Sequence, residues 1–228
     1  MTQRSKEEVQ TALRTVRENV SRALEESGRS DTVKLMAVTK TVPPEIVNYA
    51  VAEGVTLLGE NRVQEFLEKE AQYSPDVSEI HFIGHLQTNK VKYIIGKVNC
   101  IESVDSMRLC EEIERQASIH DRIMDILLEV NISNEPSKSG FLKEEVCEAA
   151  QAVSAFRHLR LKGLMCIPAK EESHDAFVQM KQLFEELKKT NPEIDTLSMG
   201  MSGDYEEAVR CGATVIRLGS AIFGKRNI

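Results

Sequence analysis

Val9, Leu13, Val16, Val20 and Leu24 recur at helical spacing, which predicts a long amphipathic helix from Ser5 to Ser27, closed by Gly28. Beyond it the pattern changes to short apolar runs. They predict strands at 33–39, 55–60, 79–84, 99–104, 125–131, 160–167, 195–199 and 214–218. Helical patterns lie between them, at 43–53, 62–73, 88–96, 106–119, 142–156, 173–189 and 203–211. Strands alternating with helices imply a parallel sheet. Eight such units in 228 residues match a compact α/β fold, the (β/α)8 TIM barrel, with the first helix as an extra N-terminal element. A doubly wound open sheet is the alternative, but it needs no eighth strand. No linker, low-complexity segment or repeat interrupts the rhythm, so residues 1–228 are expected to form one domain.

Composition narrows the function classes. A hydrophobic fraction of 41% and a charged fraction of 29% describe an ordinary globular chain. A net charge of −7 argues against a nucleic-acid partner. Cys100, Cys110, Cys147, Cys166 and Cys211 show no CxxC or Cys/His ligand spacing, so no metal site is expected and a reducing cytoplasm is. The first eight residues are too polar for a signal peptide, and no apolar stretch is long enough to span a membrane. The pairs Glu111-Glu112 and Glu185-Glu186 read as solvated helix faces.

Candidate chemistry gathers where a barrel places it, at the C-terminal ends of the strands. Lys40 ends the apolar run Leu35-Met36-Ala37-Val38-Thr39 and is followed by Thr41-Val42-Pro43-Pro44. Desolvation at such a mouth favours the neutral, nucleophilic amine that forms Schiff bases. The alternative is a snorkelling lysine that caps the strand. Gly59-Glu60-Asn61, Gly84-His85-Leu86-Gln87, Met199 to Gly203 and Arg217 to Ser220 end or follow strands two, three, seven and eight. Strands seven, eight, one and two are neighbours in a closed barrel, so most of these groups converge. Ser202-Gly203-Asp204 and Gly219-Ser220-Ala221 each resemble a glycine turn opening a helix, where N–H groups and the helix dipole bind phosphate. Either serine alone reads equally as an N-cap; two such turns beside a candidate Schiff-base lysine favour phosphate. Arg217 shares its strand face with Val215 and Gly219, opposite Ile216 and Leu218, and is expected to point into the barrel. A buried arginine needs a partner, either a structural carboxylate such as Glu60 or a ligand acceptor.

These pieces, with several others in order along the chain, carry a family resemblance. They are Ala37-Val38-Thr39-Lys40, Gly59-Glu60-Asn61, the run from His81 to Lys90, the run from Asn134 to Gly140, Gly163-Leu164-Met165, Leu197 to Ser202, and Arg217 to Gly224. The chain resembles the pyridoxal phosphate homeostasis protein family, short relatives of the alanine racemase N-terminal barrel. The resemblance implies pyridoxal 5′-phosphate (PLP) as cofactor, held as an aldimine on Lys40. It implies phosphate contacts from Ser202, Gly219 and Ser220, Arg217 at the pyridine nitrogen, Asn61 near the cofactor and Met199 beside the ring. Many members carry Thr where this chain has Ser220; a hydroxyl and an N–H remain. His85 reads as a solvated loop histidine without an identified partner, and His81 as a hydrogen-bonded core histidine. Asn89, Lys90 and Lys92 read as a solvated helix start. Lys138-Ser139-Gly140 is either a second phosphate-like nest or plain turn chemistry. Met165 reads as barrel core.

An arginine at the ring nitrogen disfavours its protonation and weakens the electron sink, which argues against transaminase chemistry. Racemisation remains compatible, but needs an acid/base group on each face. The second base of the full-length racemases is a tyrosine from an additional β domain, and the sequence ends soon after predicted strand eight, so that domain is expected to be absent. Tyr49, Tyr73, Tyr93 and Tyr205 fall on predicted helices, with Tyr205 expected nearest the mouth. The expectation is therefore a monomeric PLP-binding protein that buffers, stores or delivers the cofactor, with apo-PLP enzymes as recipients and no catalytic residues. A small amino-acid racemase or lyase is the alternative, and a regulatory protein with sensory PLP the third reading.

Overall fold

All eight expected strands form, and they close on themselves in chain order. They are β1 (Lys34–Val38), β2 (Leu57–Glu60), β3 (Glu79–Phe82), β4 (Cys100–Val104), β5 (Met124–Val130), β6 (Leu159–Cys166), β7 (Thr196–Ser198) and β8 (Val215–Leu218). Every pair is parallel, and β8 returns to β1 with Met36 opposite Arg217. The structure, a computed structural model, describes residues 4–169 and 173–224. The open-sheet alternative is thereby excluded.

The helices are α1 (Lys6–Glu26), α2 (Pro44–Ala52), α3 (Val63–Lys69), α4 (Val91–Ile94), α5 (Met107–Ile119), α6 (Val146–Val153), α7 (Ser173–Thr190), α8 (Tyr205–Arg210) and α9 (Ser220–Phe223). Ser5 starts α1 with a reciprocal capping box to Glu8, satisfying two N–H groups the helix would otherwise leave unpaired. Three expected helices are partly 3-10: the 62–73 stretch ends in one over Glu70–Gln72, and α4 and α6 begin with one. The expected 88–96 helix keeps a single α turn. Its Val91, Ile94 and Ile95 are fully buried, so packing rather than helix length holds it.

Strand alternation sorts the core. Met36, Val38, Leu57, Ile83 and Val215 make one apolar cluster in the barrel, and Cys100, Leu127 and Met165 a second. Ala37, Leu58, Phe82, Ile101, Ile126, Leu164, Leu197, Ile216 and Leu218 belong to the outer layer under the helices. Gly163 lies one residue beyond a register shift between β5 and β6, at φ 157, and a Cβ there would sit 1.7 Å from the Thr196 carbonyl oxygen. The extra helix α1 packs on α2, α8 and α9. Arg4 donates to the carbonyls of Ala221 and Ile222, and Asn19 donates to the Tyr205 hydroxyl at 2.8 Å. α1 thus braces the two helices that follow the expected phosphate turns. Among the described residues no helix is long and apolar enough to cross a membrane.

Candidate functional site

Lys40 sits in a stapled turn. The β1–β2 ladder continues past β1, with Thr39 N–H donating to the Gly59 carbonyl at 3.1 Å, and Val42 N–H then folds back to the Thr39 carbonyl at 3.0 Å. Thr41, the third residue of this turn, has φ 64, a left-handed conformation that costs a β-branched residue. Two α3 side chains hold it: Thr41 N–H donates to Glu65, Glu65 pairs with Lys69 at 2.6 Å, and the Lys69 ammonium donates to the Thr39 carbonyl at 3.0 Å. Lys40 itself is half-buried. It stands two residues beyond the inward Val38, at the mouth end of β1. No sequence signal singled out Glu65 or Lys69; their i, i+4 spacing on a predicted helix is the trace they leave.

Beside the turn, Thr39 faces outward and its hydroxyl donates to Glu60 Oε1 at 2.6 Å; Tyr73 donates to the same oxygen. Glu60 is fully buried, its Oε2 has no hydrogen-bond partner, and burial pushes its carboxyl up. Glu60 is therefore not the partner of Arg217. The next residue, Asn61, has a buried Oδ1 without a hydrogen-bond partner among the described residues. Gly84 makes this position possible: a Cβ there would lie 2.1 Å from the Asn61 carbonyl oxygen.

The turns after β7 and β8 are joined. Ser202 Oγ accepts from Ala221 N–H at 3.0 Å, and Asp204 accepts from Met201 N–H at 2.6 Å. Neither serine is an N-cap: Asp204 and Gly219 occupy those positions, and Ser220 is the first residue of α9. Because the Ser202 oxygen accepts from α9, its one O–H remains to be donated. A Cβ at Gly203 would meet nothing within 4 Å, so the turn borders open space. Met199 is fully buried in the outer layer, on the opposite strand face from Ser198.

Arg217 points inward and is 3% exposed. It donates to Ser198 Oγ at 2.7 Å and to the Cys166 carbonyl at 2.8 Å. Ser198 donates to Glu102 Oε2 at 2.6 Å, and Glu102 Oε1 meets His81 Nδ1 at 2.7 Å. His81 Nε2 reaches Glu79 at 3.3 Å, and Glu79 pairs with Lys34 at 2.7 Å. Burial alone would deprotonate His81, but the two carboxylates outweigh it and hold its pKa at about 9. Glu102 stays low despite complete burial because His81, Arg217 and Ser198 stabilise its charge. Glu129 is half-buried within reach of the Arg217 charge, and burial raises its carboxyl. His81 is the bonded core histidine its position suggests.

Other expectations change. Tyr205 does not approach the mouth; it is buried against α1 with its hydroxyl on Asn19. His85 is exposed, as a solvated loop histidine is, and it also faces Asp105 at 3.3 Å. Lys138 pairs with Glu135 at 2.6 Å, and the Asn131 side chain bonds the backbone of the same loop, so turn chemistry accounts for Lys138-Ser139-Gly140. His174 at the start of α7, Glu207 on α8 and Cys211 just after it bring their ligand atoms within 4.8 Å of one another, unforeseen in the sequence; Arg210 already holds Glu207.

Comparisons with known proteins agree with this fold. Residues 12–227 match the family model described as alanine racemase, N-terminal domain. A pyridoxal phosphate homeostasis protein of Pasteurella multocida (strain Pm70) is 38% identical, over 96% of this chain and 98% of that one. One of Aquifex aeolicus (strain VF5) is 41% identical, over 92% of this chain and 95% of that one. The structure of PipY from Synechococcus elongatus PCC7942, solved with PLP bound, matches with a TM-score of 0.82 and 32% identity, covering 95% of this chain and all of that one (100%).

Proposed function

We propose, from the premise that the chain belongs to the pyridoxal phosphate homeostasis protein family, that it binds PLP and buffers, stores or delivers it. The observation that carries this reading is Arg217, a buried cation near the barrel mouth with no carboxylate in direct contact among the described residues. Three further features suit the cofactor. The orphaned Asn61 Oδ1 offers a polar contact, Ser202 has an O–H to donate, and the α9 opening at Gly219 and Ser220 presents N–H groups. Lys40, at the mouth end of β1, would hold the cofactor covalently through its aldehyde. Met199 faces the outer layer, so it is not counted among the contacts with the ring. Residues 1–228 act as one cofactor-binding domain, and the partners are PLP and the apo-enzymes that receive it. The protein works as a cytoplasmic monomer.

When bound, PLP supplies an electron sink for carbanions. Arg217 weakens that sink by disfavouring a proton on the ring nitrogen. Removal of an α-proton also needs a positioned base, and no tyrosine serves: Tyr205 is held by Asn19 and Tyr73 by Glu60, Tyr49 lies in α2, and Tyr93 is exposed. A positioned acid/base group supplies about 10²–10⁴-fold, so only trace turnover is expected. The test is to incubate PLP-loaded protein with single L-amino acids in deuterated water, following α-deuterium and chirality. Transfer of PLP to an apo-enzyme without exchange supports the carrier. Turnover on the order of 10 per second would establish the racemase or lyase alternative.

The phosphate end has its own expected result. Ser202→Ala removes both the O–H donor and the acceptor for Ala221 N–H, and should weaken PLP binding about tenfold or more. Ser139→Ala, in the Lys138 loop, should leave affinity unchanged. Equal affinities for the two variants would move the anchor elsewhere.

A further inference from the structure

The barrel interior contains a continuous polar series that the cofactor contacts do not explain. From β1 to β8 it runs Lys34, Glu79, His81, Glu102, Ser198, Arg217, each joined to the next at 2.6 to 3.3 Å. Ionised groups alternate in sign along it, with the Ser198 hydroxyl between Glu102 and Arg217. His81, Glu102, Ser198 and Arg217 are all buried. The inner part of the series is expensive to build, because the buried ions His81, Glu102 and Arg217 lose their water, and apolar filling of the same space is often no less stable. The clusters around it, Met36, Val38, Leu57 and Val215 on one side and Cys100, Leu127 and Met165 on the other, show that apolar filling is used elsewhere in this interior.

We infer that Glu102 is a positioning residue for Arg217, acting through Ser198 and itself oriented by His81, and that it fixes the guanidinium plane toward the ring nitrogen of bound PLP. The inference rests on the PLP-binding reading above. The geometry decides each hydrogen. A carboxylate only accepts, so Ser198 spends its one proton on Glu102 Oε2 and presents a lone pair to Arg217. The second guanidinium nitrogen is anchored on the Cys166 carbonyl, one strand further round the barrel. Two anchors on neighbouring strands fix a rigid planar fork where one would leave it free to turn. His81 holds the other Glu102 oxygen and balances its charge. The groups facing His81 are Glu79 and Glu102, with Lys34 behind the first and Arg217 behind the second, and Cys100 on the adjacent strand.

The test uses purified full-length protein loaded with PLP, comparing wild type with Ser198→Ala, Glu102→Gln and His81→Gln. Two quantities are read: PLP affinity, and the visible absorption of bound PLP as pH rises from 6.5 to beyond 9, the span over which His81 titrates. Wild type should show an alkaline absorption step that is lost in His81→Gln and moved to lower pH in Glu102→Gln, because Glu102 holds the His81 pKa up. Ser198→Ala should bind PLP about tenfold or more weakly, with a shifted spectrum. Ser198→Ala removes only a hydroxyl, so it decides the matter even if the charge variants do not fold. Variants that bind PLP with wild-type affinity, spectrum and pH profile would overturn the inference and leave PLP binding standing. Lowered thermal stability with an unchanged spectrum would overturn it too, reducing the series to a structural role. A wild type that takes up no PLP would sink both readings together.

Discussion

Lys40→Ala is expected to leave a folded protein from which borohydride fixes no PLP. In wild type, reduction should convert the C=N bond to a stable amine, and peptide mapping should find the adduct on Lys40. The substitution removes a half-buried side chain from a turn held by Glu65 and Lys69, so stability should change by no more than about 0.5 kcal/mol. Contacts from Ser202 and Arg217 remain, so weak, dialysable binding persists. Recovery of the wild-type adduct on Lys69, which reaches the same turn, or on Lys90 or Lys138, would defeat the assignment.

The largest effect on the fold is expected at Gly163. Its φ of 157 is a conformation that L side chains rarely adopt, and its missing Cβ leaves room for the Thr196 carbonyl 1.7 Å away. Gly163→Ala forces β6 from β7 in the strand pair that carries Cys166 and Ser198, the two anchors of Arg217. Backbone strain of this kind should cost at least about 3 kcal/mol, placing it with the severe point mutations. For a chain of this size that lowers Tm by roughly 6–12 °C. PLP retention should fall with it, because the anchors move. A Tm within about 2 °C of wild type would mean that the strands part at little cost.

The barrel was legible because its signals are local. A buried parallel strand is a short apolar run, and eight of them alternate with helical spacing whatever their partners. Alternation within one strand also placed Arg217 inward, and the end of an apolar run before Pro43-Pro44 placed Lys40 at a mouth. Helix ends were less legible. The 88–96 stretch has the right period, but it forms 3-10 turn over Thr88–Lys90 and one α turn, because burial of Val91 and Ile94 sets its geometry.

What the sequence by itself determined is the existence and order of the eight strands, the inward face of Arg217 in the last of them, and the need of a buried Arg217 for a partner. Only the tertiary structure decided which partner. Glu60 is nearer the mouth in the sequence reading, yet it lies on the outer face with Thr39 and Tyr73, while Ser198 and Glu102, 96 residues apart in the chain, close the series behind Arg217. The same holds for Ser202, which reads locally as a helix cap and instead bonds Ala221 on the next turn, and for Tyr205, drawn from the mouth by Asn19 on α1. The physical reason is that periodicity reports a side chain's direction from its own strand or helix. The height at which strands meet is set by barrel closure and packing, and hydrogen bonds a few ångströms long depend on that height.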